Sequence, residues 1–197
     1  MIPKNKPTWL YKPVKVSNLV KVQKEVLDLQ ADHYSDLFKG RGFCFVYLDK
    51  ELLKTQAPSY VQMLSSLGLD DRWTSSIIIG TTGTSRLEDS AIHIDTENWQ
   101  ERCYGLNIPL LNCEESWTVW YDAKERDPNG YLGDEPHTGW GTARSYTNNA
   151  TEIGRMPATE TAWVNVFVPH RPECNHSNTR LILSTRFWPE VHEYVND

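Results

Sequence analysis

Cysteine is sparse and unpatterned in this chain. Four occur in 197 residues (Cys44, Cys103, Cys113 and Cys174), with no CxxC pair and no zinc-finger spacing. That sets aside a disulfide scaffold and a structural zinc module. No apolar run approaches the roughly 20 residues that cross a bilayer, and the start, Met-Ile-Pro-Lys-Asn-Lys-Pro, lacks the apolar stretch of a secretory signal. The expectation is a soluble, cytoplasmic protein with reduced thiols and no membrane partner. Outside a secretory route the sequons at Asn149 and Asn175 carry no glycan. An excess of basic charge is missing too. Lys+Arg number 20 against 26 Asp+Glu, a formal net charge of −6, which disfavours a general nucleic-acid surface. Internal repeats, low-complexity tracts and long linkers are all absent.

What is present reads as one folded domain. Apolar residues make up 39% of the chain and charged residues 23%, and 197 residues suffice to bury a core. Residues 1–16, rich in Pro and Lys, read as an extended arm. From Ser17, a capping residue, Leu19, Val22, Val26, Leu29, Tyr34 and Leu37 recur at helical spacing until Gly40 and Gly42 end the pattern. Phe43–Leu48 is a short aromatic strand with Cys44 as a small core residue, 49–55 a turn or short helix, and 59–67 a second helix capped by Ser59. Strands follow at 72–79, 89–95, 103–111, 115–121, 140–146, 151–155, 161–168 and 179–187. Residues 122–161, with several glycines and prolines, are the least regular part, containing one or two strands and a mobile portion over the site. Helices first and short strands after predict an α+β fold, a jelly roll with N-terminal helices packed on one outer face. The helical support spans 1–70 and the β core 72–190.

The chemistry centres on His93-Ile-Asp95. Residues two apart on a strand share a face, so His93 and Asp95 can aim an imidazole and a carboxylate at one point. These are two of the three ligands of a two-His-one-carboxylate set, which leaves open positions on a non-haem Fe(II). The third is sought on a distant strand. His170, in Val-Phe-Val-Pro-His, is preferred. Its rival His176 reads as the tip of a turn, a less rigid place for a ligand. Cys174 with His176 is a weaker metal pair.

His-x-Asp, a far His and then Arg180, ten residues beyond His170, resemble the Fe(II)/2-oxoglutarate-dependent oxygenases. Leu106-Asn-Ile-Pro109, Val168-Pro-His170 and Thr179-Arg-Leu-Ile-Leu-Ser-Thr-Arg-Phe-Trp-Pro-Glu190 look like the aspartyl/asparaginyl β-hydroxylase branch, over roughly residues 75–190. Asp95 is a departure, since that branch's animal members carry Gly there. The fuller triad looks like that of other branches, including small bacterial proline hydroxylases. The resemblance implies a double-stranded β-helix, cupin-like in outline, with His93, Asp95 and His170 as metal and catalytic residues. It implies Fe(II) and 2-oxoglutarate as cofactors, and dioxygen and an amino acid, peptide, protein or other small-molecule substrate as partners. Hydroxylation of a C–H bond would be coupled to decarboxylation of 2-oxoglutarate to succinate.

Arg180 would hold the distal carboxylate of 2-oxoglutarate, because its planar fork matches a carboxylate bidentately. Arg186 and Ser184 share its face by parity and could assist. Arg102, by the same resemblance, and Asn107 are further cosubstrate contacts, and Trp99 is a candidate substrate wall. Trp117 or Trp120 reads as core. Two other classes stay open. One is a cupin-like metal-dependent hydrolase or isomerase without 2-oxoglutarate, which has no need of an anion anchor like Arg180. The other is a non-catalytic barrel that only binds.

Overall fold

The structure, a computed structural model, describes residues 8–69, 72–83, 92–97, 100–101, 104–132, 143–147 and 149–187. In chain order the elements are β1 (Tyr11–Pro13), α1 (Leu19–Phe38), β2 (Phe43–Tyr47), α2 (Lys50–Gln56), α3 (Pro58–Ser66) and β3 (Trp73–Thr81). There follow β4 (His93–Glu97), β5 (Gln100–Glu101), β6 (Tyr104–Leu111), β7 (Ser116–Asp122), β8 (Arg126–Leu132) and β9 (Ala143–Tyr146). The chain closes with β10 (Thr151–Pro157), β11 (Ala162–Asn165), β12 (His170–Cys174) and β13 (Arg180–Phe187). No described helix is long and apolar enough to cross a membrane.

Two antiparallel sheets face each other. One runs β1-β11-β6-β13-β3-β2, the other β10-β7-β12-β4-β9-β8, with β5 against β4. The helices cover the outer face of the first sheet. There Val22, Val26 and Leu29 of α1 and Tyr60, Met63 and Leu64 of α3 bury against Leu106 and Ile108 of β6 and Leu181, Leu183 and Phe187 of β13. Strand alternation then turns Asn107 of β6 and Arg180, Ile182, Ser184 and Arg186 of β13 to the opposite face, toward the second sheet. The hydrophobic layer under the helices thus fixes which residues enter the space between the sheets. Tyr60 reinforces the outer layer. Its hydroxyl is 2.5 Å from Ser76 Oγ and 2.6 Å from Thr185 Oγ1 in a fully buried position.

Several boundaries differ from the sequence reading, each for a local reason. The helix α1 starts after Asn18, which adopts a left-handed φ of 58° that Asn tolerates and offers no side-chain cap. Leu37, expected on its apolar face, is 42% exposed. The helix α3 begins at Pro58, suited to the first helical position, and Ser59 is no cap. Instead the Ser59 N–H and hydroxyl both donate to the Glu25 carboxylate at 2.8 Å, which ties α3 to α1. The short-helix alternative over 49–55 is realised as α2, which Asp49 caps through the Glu51 and Leu52 N–H groups. Part of the N-terminal arm is an edge strand, with Tyr11 opposite Val164. The irregular stretch holds three strands, β8, β9 and β10, rather than one or two, and its residues 133–142 lie outside the described residues. The strand expected over 161–168 ends at Asn165, and a separate strand, β12, begins at His170. Cys44, Cys113 and Cys174 are free thiols.

Candidate metal centre and anion pocket

The strands β4 and β12 are neighbours in the second sheet, and His170 is the residue directly across from His93. Opposite residues of an antiparallel pair hold their Cβ atoms about 5 Å apart. Two imidazoles and a carboxylate therefore arrive at one place from two adjacent strands. The imidazole centroids are 4.6 Å apart. Asp95 Oδ1 lies 3.5 Å from His93 Nε2 and 3.8 Å from His170 Nε2. One ligand atom from each residue lies within 4.8 Å of the others, and among the described residues no other three His, Cys, Asp or Glu side chains gather this way.

Electrostatics prepare these groups as ligands. His170 Nδ1 is 2.9 Å from the Val168 carbonyl oxygen. A carbonyl only accepts, so Nδ1 carries the proton and Nε2 presents its lone pair to the site. Burial, with His93 adding to it, lowers the His170 pKa to about 4, so the ring is neutral at pH 7. Burial pushes the Asp95 carboxyl up, but the Arg186 guanidinium and then the two histidines outweigh it and hold the group well below the usual carboxylate range. Three donors at about 2.1 Å from one ion and at right angles stand about 3 Å apart. The two observed Asp95 separations, 3.5 and 3.8 Å, lie near that value, and all three ligand atoms are within 4.8 Å of one another. The donor set fits a small divalent transition metal.

The opposite wall is cationic. Arg180 is 2% exposed. One Nη donates to the Trp117 carbonyl at 3.2 Å, while Nε has no partner among the described residues. Burial is the main influence on this guanidinium and pushes its pKa down. Directly across from Arg180 stands Thr81, also buried, whose hydroxyl is likewise unpartnered. Directly opposed residues share a face, so two unmet polar groups sit side by side. Nothing in the local sequence of Thr81 points to this; it follows only from the β3–β13 register.

Arg186 is differently engaged. Its Nε meets Asp95 Oδ2, and Nη1 donates to Ser184 Oγ, which in turn donates to Asn107 Oδ1. Ser184 and Asn107 are thus joined in a buried relay with Arg186. Both histidines, both arginines, Asn107 and Trp120 line one cavity. Trp120 is fully buried with its Nε1 donating to the Asn165 carbonyl at 2.8 Å, in keeping with a core role. His176 lies apart from the triad, its Nε2 3.0 Å from the Asn112 carbonyl and its ring beside Cys174. Trp99 and Arg102 lie outside the described residues.

No family model matches the chain, and no curated protein does. Solved structures do match, and they define the class of fold: the α+β double-stranded β-helix, with helices on one outer face. The epimerase SnoN, solved with Fe3+, alpha ketoglutarate and nogalamycin RO, is 13% identical, with a TM-score of 0.50 over 95% of this chain and 84% of its own. HygX from Streptomyces hygroscopicus, with nickel and 2-oxoglutarate bound, is 8% identical, with a TM-score of 0.50 over 91% and 81%. A prolyl hydroxylase from Trichoplax adhaerens, in complex with a hypoxia inducible factor peptide fragment, is 14% identical, with a TM-score of 0.50 over 96% and 88%.

Proposed function

We propose that this chain is an Fe(II)/2-oxoglutarate-dependent oxygenase, a hydroxylase of an amino acid, peptide or protein side chain. One observation carries the proposal. His93, Asp95 and His170 meet at a point in a cavity whose other wall holds a buried arginine with an unmet Nε. Two imidazoles and a carboxylate are the ligand set of non-haem Fe(II) oxygenases. A buried cation with no carboxylate partner among the described residues calls for an anionic ligand. SnoN and HygX, which share the fold, were solved with a metal and this cosubstrate.

In this reading His93, Asp95 and His170 hold the iron. Iron held there would supply the oxidative chemistry, in which 2-oxoglutarate would be converted to succinate and carbon dioxide with one oxygen of dioxygen, the other entering the substrate C–H bond. The chain's own groups do the rest. Arg180 takes the distal carboxylate in its fork and Thr81 adds a hydroxyl to it. Val168 fixes the tautomer that leaves His170 Nε2 free to ligate. The apolar flank, with Trp120, Val164 and Ile182, limits water around the reacting centre. The aspartyl/asparaginyl hydroxylase-like reading rests on Leu106–Pro109 and on the sequence around His170. The peptide held by the Trichoplax enzyme supports a peptide or protein as substrate.

Anaerobic titration of Fe(II) and then 2-oxoglutarate, followed by visible absorption, tests the class before any substrate is known. The expected result is a metal-to-ligand charge-transfer band that His170→Ala abolishes. Absence of both the band and any affinity for 2-oxoglutarate would move the chain to metal-dependent hydrolysis or isomerisation on the same barrel.

A further inference from the structure

The two oxygens of Asp95 have different neighbours. Oδ1 faces both histidine Nε2 atoms, at 3.5 and 3.8 Å, whereas Oδ2 is in ion-pair contact with Arg186 Nε, outside hydrogen-bond geometry. We propose that Arg186 is a positioning residue that ties back one oxygen of Asp95, so that the other alone faces a divalent cation. This rests on the metal reading above and says which part of the chain sets the coordination mode.

Three features show that the tie is built rather than incidental. Arg186 is held at a second point, since its Nη1 donates to Ser184 Oγ and Ser184 is anchored on Asn107. The guanidinium therefore cannot swing without breaking a fully buried relay. The neighbouring strand also leaves room for it. Gly105 is the residue directly opposite Arg186, and a Cβ there would collide with Nη1 and lie 3.3 Å from Cζ. Finally, Arg186 and Asp95 stand on different sheets, so the pair spans the cavity and fixes the carboxylate relative to a second rigid wall.

The consequence is chemical. The terminal torsion of Asp is broad and roughly two-fold, so an untied carboxylate presents either oxygen or both. Two-oxygen binding would occupy a further position on the ion, and a metal site that must also take exogenous ligands needs that position open. Charge alone acts the other way, because a nearby guanidinium repels a cation. Orientation and charge thus predict opposite signs for the loss of Arg186.

The test uses the full chain and Co(II) alone, without cosubstrate, read by visible absorption and by the dissociation constant. Arg186→Met should weaken Co(II) binding about 10- to 100-fold, the usual effect of losing a partner that orients a ligand, and should change the d–d absorption. Gly105→Ala displaces the guanidinium but keeps its charge, and should shift affinity and spectrum the same way. Ser184→Ala frees the far end of the tie and carries the test if Arg186→Met does not fold, as judged by circular dichroism in EDTA. Variants that bind Co(II) as tightly as wild type or more tightly, with its spectrum, overturn this assignment alone. A wild-type protein that binds no Co(II) overturns the metal reading and this one with it.

Discussion

Replacing Arg180 by Met should have two effects of opposite sign. The side chain is buried and desolvated, with one carbonyl acceptor at 3.2 Å and an unmet Nε. Leaving a charged donor unsatisfied in the interior costs about 1–3 kcal/mol, and Met keeps most of the apolar stem. The ligand-free variant should therefore be as stable as wild type or more stable by up to about 2 kcal/mol. Cosubstrate binding should fall sharply. A charge-assisted bidentate contact in a partly desolvated pocket is worth roughly 2–4 kcal/mol. At about 1.4 kcal/mol per decade this raises the 2-oxoglutarate dissociation constant about 30- to 1,000-fold. Arg180→Lys should recover only part of it, because a point charge does not reproduce the fork. Urea unfolding in EDTA reads the first effect, and calorimetric titration of 2-oxoglutarate into Mn(II)-loaded protein reads the second. A destabilised variant with undiminished affinity would refute the reasoning and make Arg180 a structural residue. Arg186→Met is unsuitable as a neutral control, since it leaves the buried Asp95 carboxylate without its cation.

Thr81→Val removes the unpartnered hydroxyl beside Arg180; 2-oxoglutarate affinity should drop about tenfold, as for a hydrogen bond to a charged group, with Co(II) affinity unchanged in the same titrations. In the metal-free protein, the folded state holds His170 neutral down to about pH 4, whereas the unfolded chain protonates it near its ordinary 6.5. The unfolded state binds more protons in that window, so stability falls as pH drops, by about 3 kcal/mol in all; the depressed Asp95 carboxyl extends the loss below it. Urea midpoints at pH 7.5, 6 and 5 in EDTA should show this slope in wild type and a flatter one in His170→Gln. Tyr60→Phe leaves Ser76 and Thr185 without their shared partner and should cost about 1–3 kcal/mol in urea unfolding; a matching loss of Co(II) affinity would show that the helix-side network reaches the site.

Much of this was legible from period alone. The helical spacing of Val22, Val26 and Leu29 and the alternation along β6 and β13 gave the layers, because burial on one face leaves a pattern in the chain. His93-x-Asp95 is legible for the same reason, being strand parity. The strand β12 was not, although it carries His170. The expected strand stops at residue 168, and Pro172 argues against a strand beyond it, since proline cannot donate to a ladder and is confined to edges. In the fold β12 pairs with β4 only through His170 and His93, and the rest of it is bonded to β7, so a proline is tolerated where the sequence argues against one. The partner of Arg186 was hidden more deeply. Parity placed it beside Arg180 on one face, but what faces it comes from the other sheet, and the gap between sheets has no local signature. Thr81 is the same case: it falls beyond the strand expected at 72–79, and only the β3–β13 register sets it beside Arg180.

The interleaving on β13 has a consequence for how this chain can vary. Leu181, Leu183 and Phe187 belong to the layer under the helices, and Arg180, Ile182 and Arg186 to the cavity. Two sets of instructions are written on alternate letters of one eight-residue word. Point changes at Ile182 can therefore alter the pocket without touching the helix-packed layer. Inserting or deleting a single residue exchanges the two sets: the arginines would be driven beneath α1 and α3, and the leucines into the space between the sheets. Drift in this strand should proceed by substitution alone, and length changes should collect in the turn between Cys174 and Arg180.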